Sequence, residues 1–144
     1  MVISYFVAGV PRPQPRHRPS RLGGAKPAKH IAAWKQAVKS ATHEALCEAV
    51  APGWQGVSQS YLITTLTSKG LAFVELNFTV KGDPRSPRSG DIDNLVKAVH
   101  DALQDAGACK NDAEIVESYA LKHAQGADPA SALGVHIRLV YGSK

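Results

Sequence analysis

Nine residues near the middle of the chain do most to limit how it can fold. Ala72, Val74, Leu76, Phe78 and Val80 alternate with Phe73, Glu75, Asn77 and Thr79, an apolar set interleaved with a largely polar one. Successive strand side chains point to opposite faces, so the pattern makes a strand with one buried face and one wetted face. A sheet of such strands has to be covered on its apolar side by another layer. Two stretches can supply the cover. From about 28 to 50, Ile31, Trp34, Val38, Ala41, Ala45, Leu46 and Ala49 recur at helical spacing, and Pro52-Gly53 ends the run. From 92 to 106, Ile92, Leu95, Val96, Val99, Ala102, Leu103 and Ala106 form an apolar stripe, with Gly107 placed as the residue just past the helix end.

Further strands are expected at 2–10, around 114–122 and at 133–141, the last two joined by a turn at 124–131. Residues 61–66 read as a short extra strand or part of a loop. The order β-α-β-α-β-β predicts a two-layer α+β domain, a small mixed sheet with two helices on one face. A length of 144 residues suits a single domain over 1–144. With 44% hydrophobic and 20% charged residues, the chain reads as an ordinary globular protein. No apolar run approaches the roughly 20 residues that span a bilayer, so no membrane association is expected. The opening Met-Val-Ile-Ser-Tyr-Phe has no basic region ahead of it and does not read as a signal peptide. Cys47 and Cys109 are far apart and form no CxxC, so free thiols and a cytoplasmic location are expected. The six histidines lack metal-ligand spacing, which argues against structural zinc.

The formal charge of +5 points towards an anionic partner, and its distribution says more. Arg12, Arg16, Arg18, Arg21, Lys26, Lys29, Lys35 and Lys39 all precede the first acidic residue, Glu44. Four of these arginines lie in a proline-punctuated loop at about 11–27, and a second basic loop at 81–90 carries Arg85 and Arg88. Several carboxylates then gather between Asp91 and Glu117. A protein that only binds nucleic acid has little use for them, because carboxylates repel phosphate. A nuclease has one, because divalent cations can sit between carboxylate and phosphate.

The informative run is Gly90-Asp91-Ile92-Asp93-Asn94-Leu95-Val96-Lys97, at a loop-to-helix junction. Asn94 and Lys97 are three apart, and Asp93 and Lys97 four apart, so all three can share a polar helix face. Two carboxylates at a helix N-terminus, with Asp112 returning after Gly107 reverses the chain, make a hard-oxygen site suited to Mg²⁺ or Mn²⁺. The same residues also make an ordinary helix start, with Asp91 as N-cap, Asp93 facing the positive dipole and Asp93–Lys97 as an i,i+4 pair. On pattern alone both readings stand. Asp101 and Asp105 read as surface carboxylates or salt-bridge partners.

Asp91-Ile-Asp-Asn-Leu-x-Lys-Ala-x-x-Asp-Ala-Leu, then Ala106-Gly107 and Asn111-Asp112-Ala113-x-Ile-Val, resembles the signature of RusA-type Holliday junction resolvases. Gly9-Val-Pro11 and Arg16-His-Arg18-Pro19 resemble that family's opening turn and Arg/Pro-rich segment. The resemblance covers most of the chain. It implies a homodimeric, Mg²⁺-dependent endodeoxyribonuclease, with Mn²⁺ able to substitute, that resolves four-way junctions by paired symmetric nicks in DNA recombination and repair. It implies that Asp91, Asp93 and Asp112 hold the metal and that Lys97 is catalytic or contacts phosphate. Arg12, Arg16, Arg18, Arg21, Arg85, Arg88 and Asn94 are then the expected DNA contacts, and a bacterial cell or phage-infected host is the expected setting. Gly90 departs from the basic residue often found before the first aspartate, and Asn111 replaces a second acidic residue of some members. The link at 54–70 is longer than its counterpart.

Three other functions compete. A non-catalytic nucleic-acid-binding module explains the basic loop but leaves Asp91, Asp93 and Lys97 without a purpose. A nuclease for other branched DNA would use the same site. A phosphoryl- or glycosyl-transfer enzyme using the DxD pair would need a nucleotide site, and the chain has no P-loop. Apolar faces of the terminal strands and the 61–66 stretch are the expected candidates for a dimer interface.

Overall fold

The computed structural model describes residues 1–15, 29–52, 56–126 and 132–142. Its elements run β1 (Val2–Ala8), α1 (Lys29–Val50), α2 (Gln59–Thr67), β2 (Leu71–Val80), α3 (Ile92–Asp105), β3 (Glu117–Ala124) and β4 (Gly134–Tyr141). Short 3-10 turns at Pro87–Ser89 and Asp112–Glu114 flank α3. This is an α+β fold. Its order departs from the expected one by a single inserted helix, α2.

The sheet order is β1-β4-β2-β3, with β4 antiparallel to both neighbours and β2 parallel to β3. A parallel pair needs a crossover connection, and α3 lies in it. Val74, Leu76, Phe78 and Val80 are buried as the alternation requires, opposite Val135, Ile137 and Leu139 of β4. An irregularity in the pairing between Leu71 and Phe73 shifts the start of β2, so Leu71 is fully buried and Ala72 only half so. Ile31, Trp34, Val38 and Leu46 of α1 and Leu95, Val99 and Leu103 of α3 close over this face, where Thr42 hydrogen-bonds Tyr5 at 2.6 Å. Burial of that phenol raises its pKa.

Residues 61–66 are helical, neither strand nor loop. Ser58 caps α2 by accepting from the Tyr61 N–H. Thr64 and Thr65 donate their hydroxyls to the carbonyls of Ser60 and Tyr61, one turn back, at 2.9 Å each. The β-branched residues that favour a strand are thus satisfied inside a helix. Leu66 alone is buried in α2.

Helix α3 ends as Gly107 foretells. Gly107, at φ +82°, donates to the Gln104 carbonyl and Ala108 donates to that of Leu103, the paired bonds of a Schellman close. The buried Tyr141 hydroxyl donates to Ala108 at 2.7 Å and anchors the reversal.

Candidate active site

The loop between β2 and α3 is built to deliver Asp91. Asp83 accepts from the Arg85 N–H, Ser86 caps the Pro87–Ser89 turn, and the buried Ser89 hydroxyl donates to the carbonyls of Ser86 and Pro84 at 2.8 and 3.1 Å. Gly90 follows at φ +87°, where a Cβ would lie 2.9 Å from Pro13 Cγ. That contact and that backbone angle leave no room for the basic side chain the resemblance leads one to expect here. The Gln14 N–H also donates to the Asn94 carbonyl at 2.9 Å. The start of the arginine- and proline-rich segment is therefore docked on the first turn of α3, with Pro11 buried and Arg12 half-buried.

Asp91 takes the N-cap position of α3, with extended backbone angles, but its side chain makes no capping hydrogen bond. The helix-start reading of this residue thus has the position right and the interaction missing. Asp91 and Asp93 are both exposed and line an open cleft of about 650 Å³ with Pro84, Arg85, Ile92, Ala120, Leu121 and Lys122. The apolar stripe places Ile92 in the core. It is instead 41% exposed and lines this cleft beside Ala120, Leu121 and Lys122 of β3.

Lys97 lies one turn further along. Its ammonium reaches Asp101 at 2.8 Å and Asp112 at 3.0 Å, and Asp101 also meets Lys35 of α1 at 3.6 Å. The i,i+4 pair on this face therefore runs forward from Lys97 to Asp101. Hydrogen bonds to Asp101 and then Asp112 raise the Lys97 pKa above the ordinary lysine value, and the bond from Lys97 lowers that of Asp112. Beside them His100 contacts Ser118 Oγ at 3.2 Å, and burial lowers its pKa. Asp112 starts its own 3-10 turn, with its N–H on the Gln104 side chain at 3.3 Å. Asn111 caps that turn by accepting from the Ala113 N–H at 2.9 Å, so its side chain serves the backbone.

The structure thus brings Asp91 and Asp93 to one cleft and Asp112 to Lys97. As donors, all three are the hard oxygens that Mg²⁺ or Mn²⁺ takes. Among the described residues, however, no three His, Cys, Asp or Glu side chains converge so as to hold a metal. Arg85 lines the cleft, and Arg88, exposed, lies on the adjoining turn. Arg16, Arg18 and Arg21 fall outside the described residues. Lys122 is a site residue that the sequence reading misses. It lines the cleft and donates to the Gly90 carbonyl at 2.6 Å and to Ser89 Oγ at 3.1 Å. The signal that could have found it is register, since pairing with the buried Phe78 puts Lys122 on the helix-covered face of β3.

Cys47 and Cys109 are free, and no described helix is long and apolar enough to cross a membrane. No curated protein matches the chain. The family model described as Endodeoxyribonuclease RusA matches residues 8–138, a span that takes in the docked proline segment, the cleft, Lys97 and Asp112. By that match the chain belongs to the RusA endodeoxyribonuclease family.

Proposed function

We propose that this endodeoxyribonuclease is a Mg²⁺-dependent, structure-specific enzyme that resolves Holliday junctions by paired symmetric nicks, acting as a homodimer in DNA recombination and repair. The observation that carries the reading is the cleft, where exposed Asp91 and Asp93 face Arg85 and Lys122 across an opening that solvent reaches. Asp91, Asp93 and Asp112 would hold the cation, which when bound supplies charge neutralisation at the phosphate and an activated water. In the structure Asp112 is hydrogen-bonded to Lys97 through one of its two oxygens.

The chain's own residues then divide the work. Arg85 and Arg88 hold phosphates of the junction arms through sequence-independent contacts, joined by Arg12, Arg16, Arg18, Arg21 and Asn94. Lys97 stabilises the charge that develops on the phosphate or leaving oxygen. Its raised pKa keeps it protonated throughout the physiological range. Resolution needs two cuts in opposed strands, and a two-fold dimer matches the approximate symmetry of the junction. On the sheet face away from the helices, Val2 and Phe6 of β1 and Tyr119 and Leu121 of β3 are exposed at the two opposite edges, with Glu75, Asn77, His136 and Arg138 between them, so either edge strand is a candidate surface for that pairing.

End-labelled four-way junction, fork and linear duplex, incubated with Mg²⁺ and with EDTA, test the reading. Paired symmetric cuts in the junction alone, lost in EDTA, are expected. Single nicks at forks or flaps would make it a nuclease for other branched DNA, and tight binding without any cut would make it a binding module.

A further inference from the structure

Lysine is an unusual tenant for the covered face of a sheet. Lys122 sits on β3 in register with Phe78, which is fully buried, and shares that face with Ser118 and Ala120, which pair with Val74 and Leu76. A lysine here commonly threads its stem outward and leaves its ammonium in water. Lys122 stays half-buried and turns to neutral oxygens, the Gly90 carbonyl at 2.6 Å and Ser89 Oγ at 3.1 Å. Among the described residues no carboxylate pairs with it. An ammonium has three donors, so one N–H remains. Ser89 is itself fixed, its hydroxyl committed to Ser86 and Pro84, so the cation is held by a preformed cradle.

A half-buried cation that no carboxylate among the described residues pairs with, at the wall of a cleft open to solvent, is arranged to receive an anion. Asp91 and Asp93 on the same cleft exclude a bare carboxylate ligand, while a cation between them and a phosphate would admit a phosphodiester. Resting on the nuclease reading above, we infer that Lys122 is a substrate-binding residue of the site. Its free N–H donates to a non-bridging oxygen of the scissile phosphodiester, opposite Arg85. Because the same ammonium grips the carbonyl of Gly90, contact with DNA is made by the group that fixes where Asp91 begins α3.

The test maps the wild-type cut on a four-way junction and then places a neutral methylphosphonate at that linkage. Binding of ordinary and neutralised junction is measured with Ca²⁺ in place of Mg²⁺, which keeps a divalent cation present, for wild type, Lys122→Met, Lys122→Arg and Ser89→Ala. Lys122→Met should bind the ordinary junction roughly tenfold more weakly, as loss of a hydrogen bond to a charged group predicts, and should no longer respond to the neutral linkage. Lys122→Arg should restore the response, and Ser89→Ala should keep it. A Lys122→Met protein with the wild-type ratio of the two affinities overturns the inference, as does a Ser89→Ala protein that reproduces the whole loss, which would make Lys122 a loop clamp only. If Lys122→Met does not fold, amine acetylation of the wild type read by mass spectrometry decides. The ordinary junction should shield Lys122 and the neutralised one should shield it less, and equal shielding overturns the inference. A wild type that cuts no DNA removes the nuclease reading and this one together, whereas a cutting wild type with an unchanged Lys122→Met ratio removes this one alone.

Discussion

Two groups of carboxylates, one at the start of α3 and one shared between its middle and the turn that follows it, are placed differently. At the start of α3, Asp91 and Asp93 stand exposed on an open cleft. One turn on, Asp101 and Asp112 are both taken up by Lys97, with Lys35 adding a second cation to Asp101. The first group lines a surface that solvent reaches. The second has its charge answered from within the chain. Residue type alone does not separate them, since all four are aspartates. The difference lies in where the lysines stand, and it makes Lys97 the residue that decides which group Asp112 belongs to.

The strongest way to break this comparison is to neutralise each group in turn. Asp91→Asn and Asp93→Asn should each lower junction cleavage by at least about a thousandfold while binding survives or tightens, because the charge that would hold the cation is lost along with its repulsion of phosphate. Asp112→Asn should do the same if it exchanges groups during the reaction. Asp101→Asn, which frees one arm of Lys97 and the Lys35 ammonium, should cut within about tenfold of wild type. Single-turnover rates in Mg²⁺ check all four, and an Asp112→Asn rate that matches Asp101→Asn would confine Asp112 to the ion-pair group.

Lys97→Ala sharpens the contrast. It should fold, bind junction DNA and cut about a hundredfold more slowly, while exposed pairs of this kind are worth only about 0.3–0.5 kcal/mol of stability. Near-normal turnover with a slightly lowered Tm would reduce Lys97 to a surface partner of Asp101. A smaller effect tests the basic side of the cleft. Removing the charge of Arg85 or Arg88 should weaken binding to every DNA shape and reduce the log–log salt slope by roughly 0.9 for each phosphate left without its cation. An unchanged slope would place that turn away from DNA.

The smallest effect is one of pH. The folded-state pKa of Asp112 is lowered by Lys97, so its contribution to stability is present above the ordinary carboxylate range and is lost as pH falls through the lowered value. Wild type should therefore lose slightly more Tm than Lys97→Ala between neutral pH and acid. Parallel melting curves for the two proteins would remove the pair from the account of stability.

Most of the framework is legible in the sequence because it rests on periodicity. Helix α3 is marked at both ends, by Asp91 before it and Gly107 after it, and the alternation over 72–80 gives the buried face of β2. Helix α2 is not legible, because Thr64, Thr65 and Thr67 lower helix propensity in isolation and what satisfies them is bonding to carbonyls of the previous turn. Ile92 is misplaced by its pattern because a stripe does not announce that its first turn borders an open cleft. In the site, Asp91, Asp93, Lys97 and Asp112 can be nominated from their spacing, but the partners of Lys97 depend on how the chain returns after Gly107. Lys122 is invisible for the same kind of reason. Its face is set by parallel pairing with β2, and no local pattern reports a partner strand some 44 residues away, the separation of Phe78 from Lys122.

That parallel partner is also the sheet's least protected member. β3 is an edge strand, and it alone among the four contributes no buried residue. Strands with so little apolar burial open by local fluctuation at a fraction of the free energy that unfolds the whole domain. When β3 lifts, the Lys122 ammonium leaves the Gly90 carbonyl and one wall of the cleft goes with it. A ligand that bridges Lys122 to the start of α3 would therefore fasten this edge strand to the helix, tightening the sheet edge as it binds.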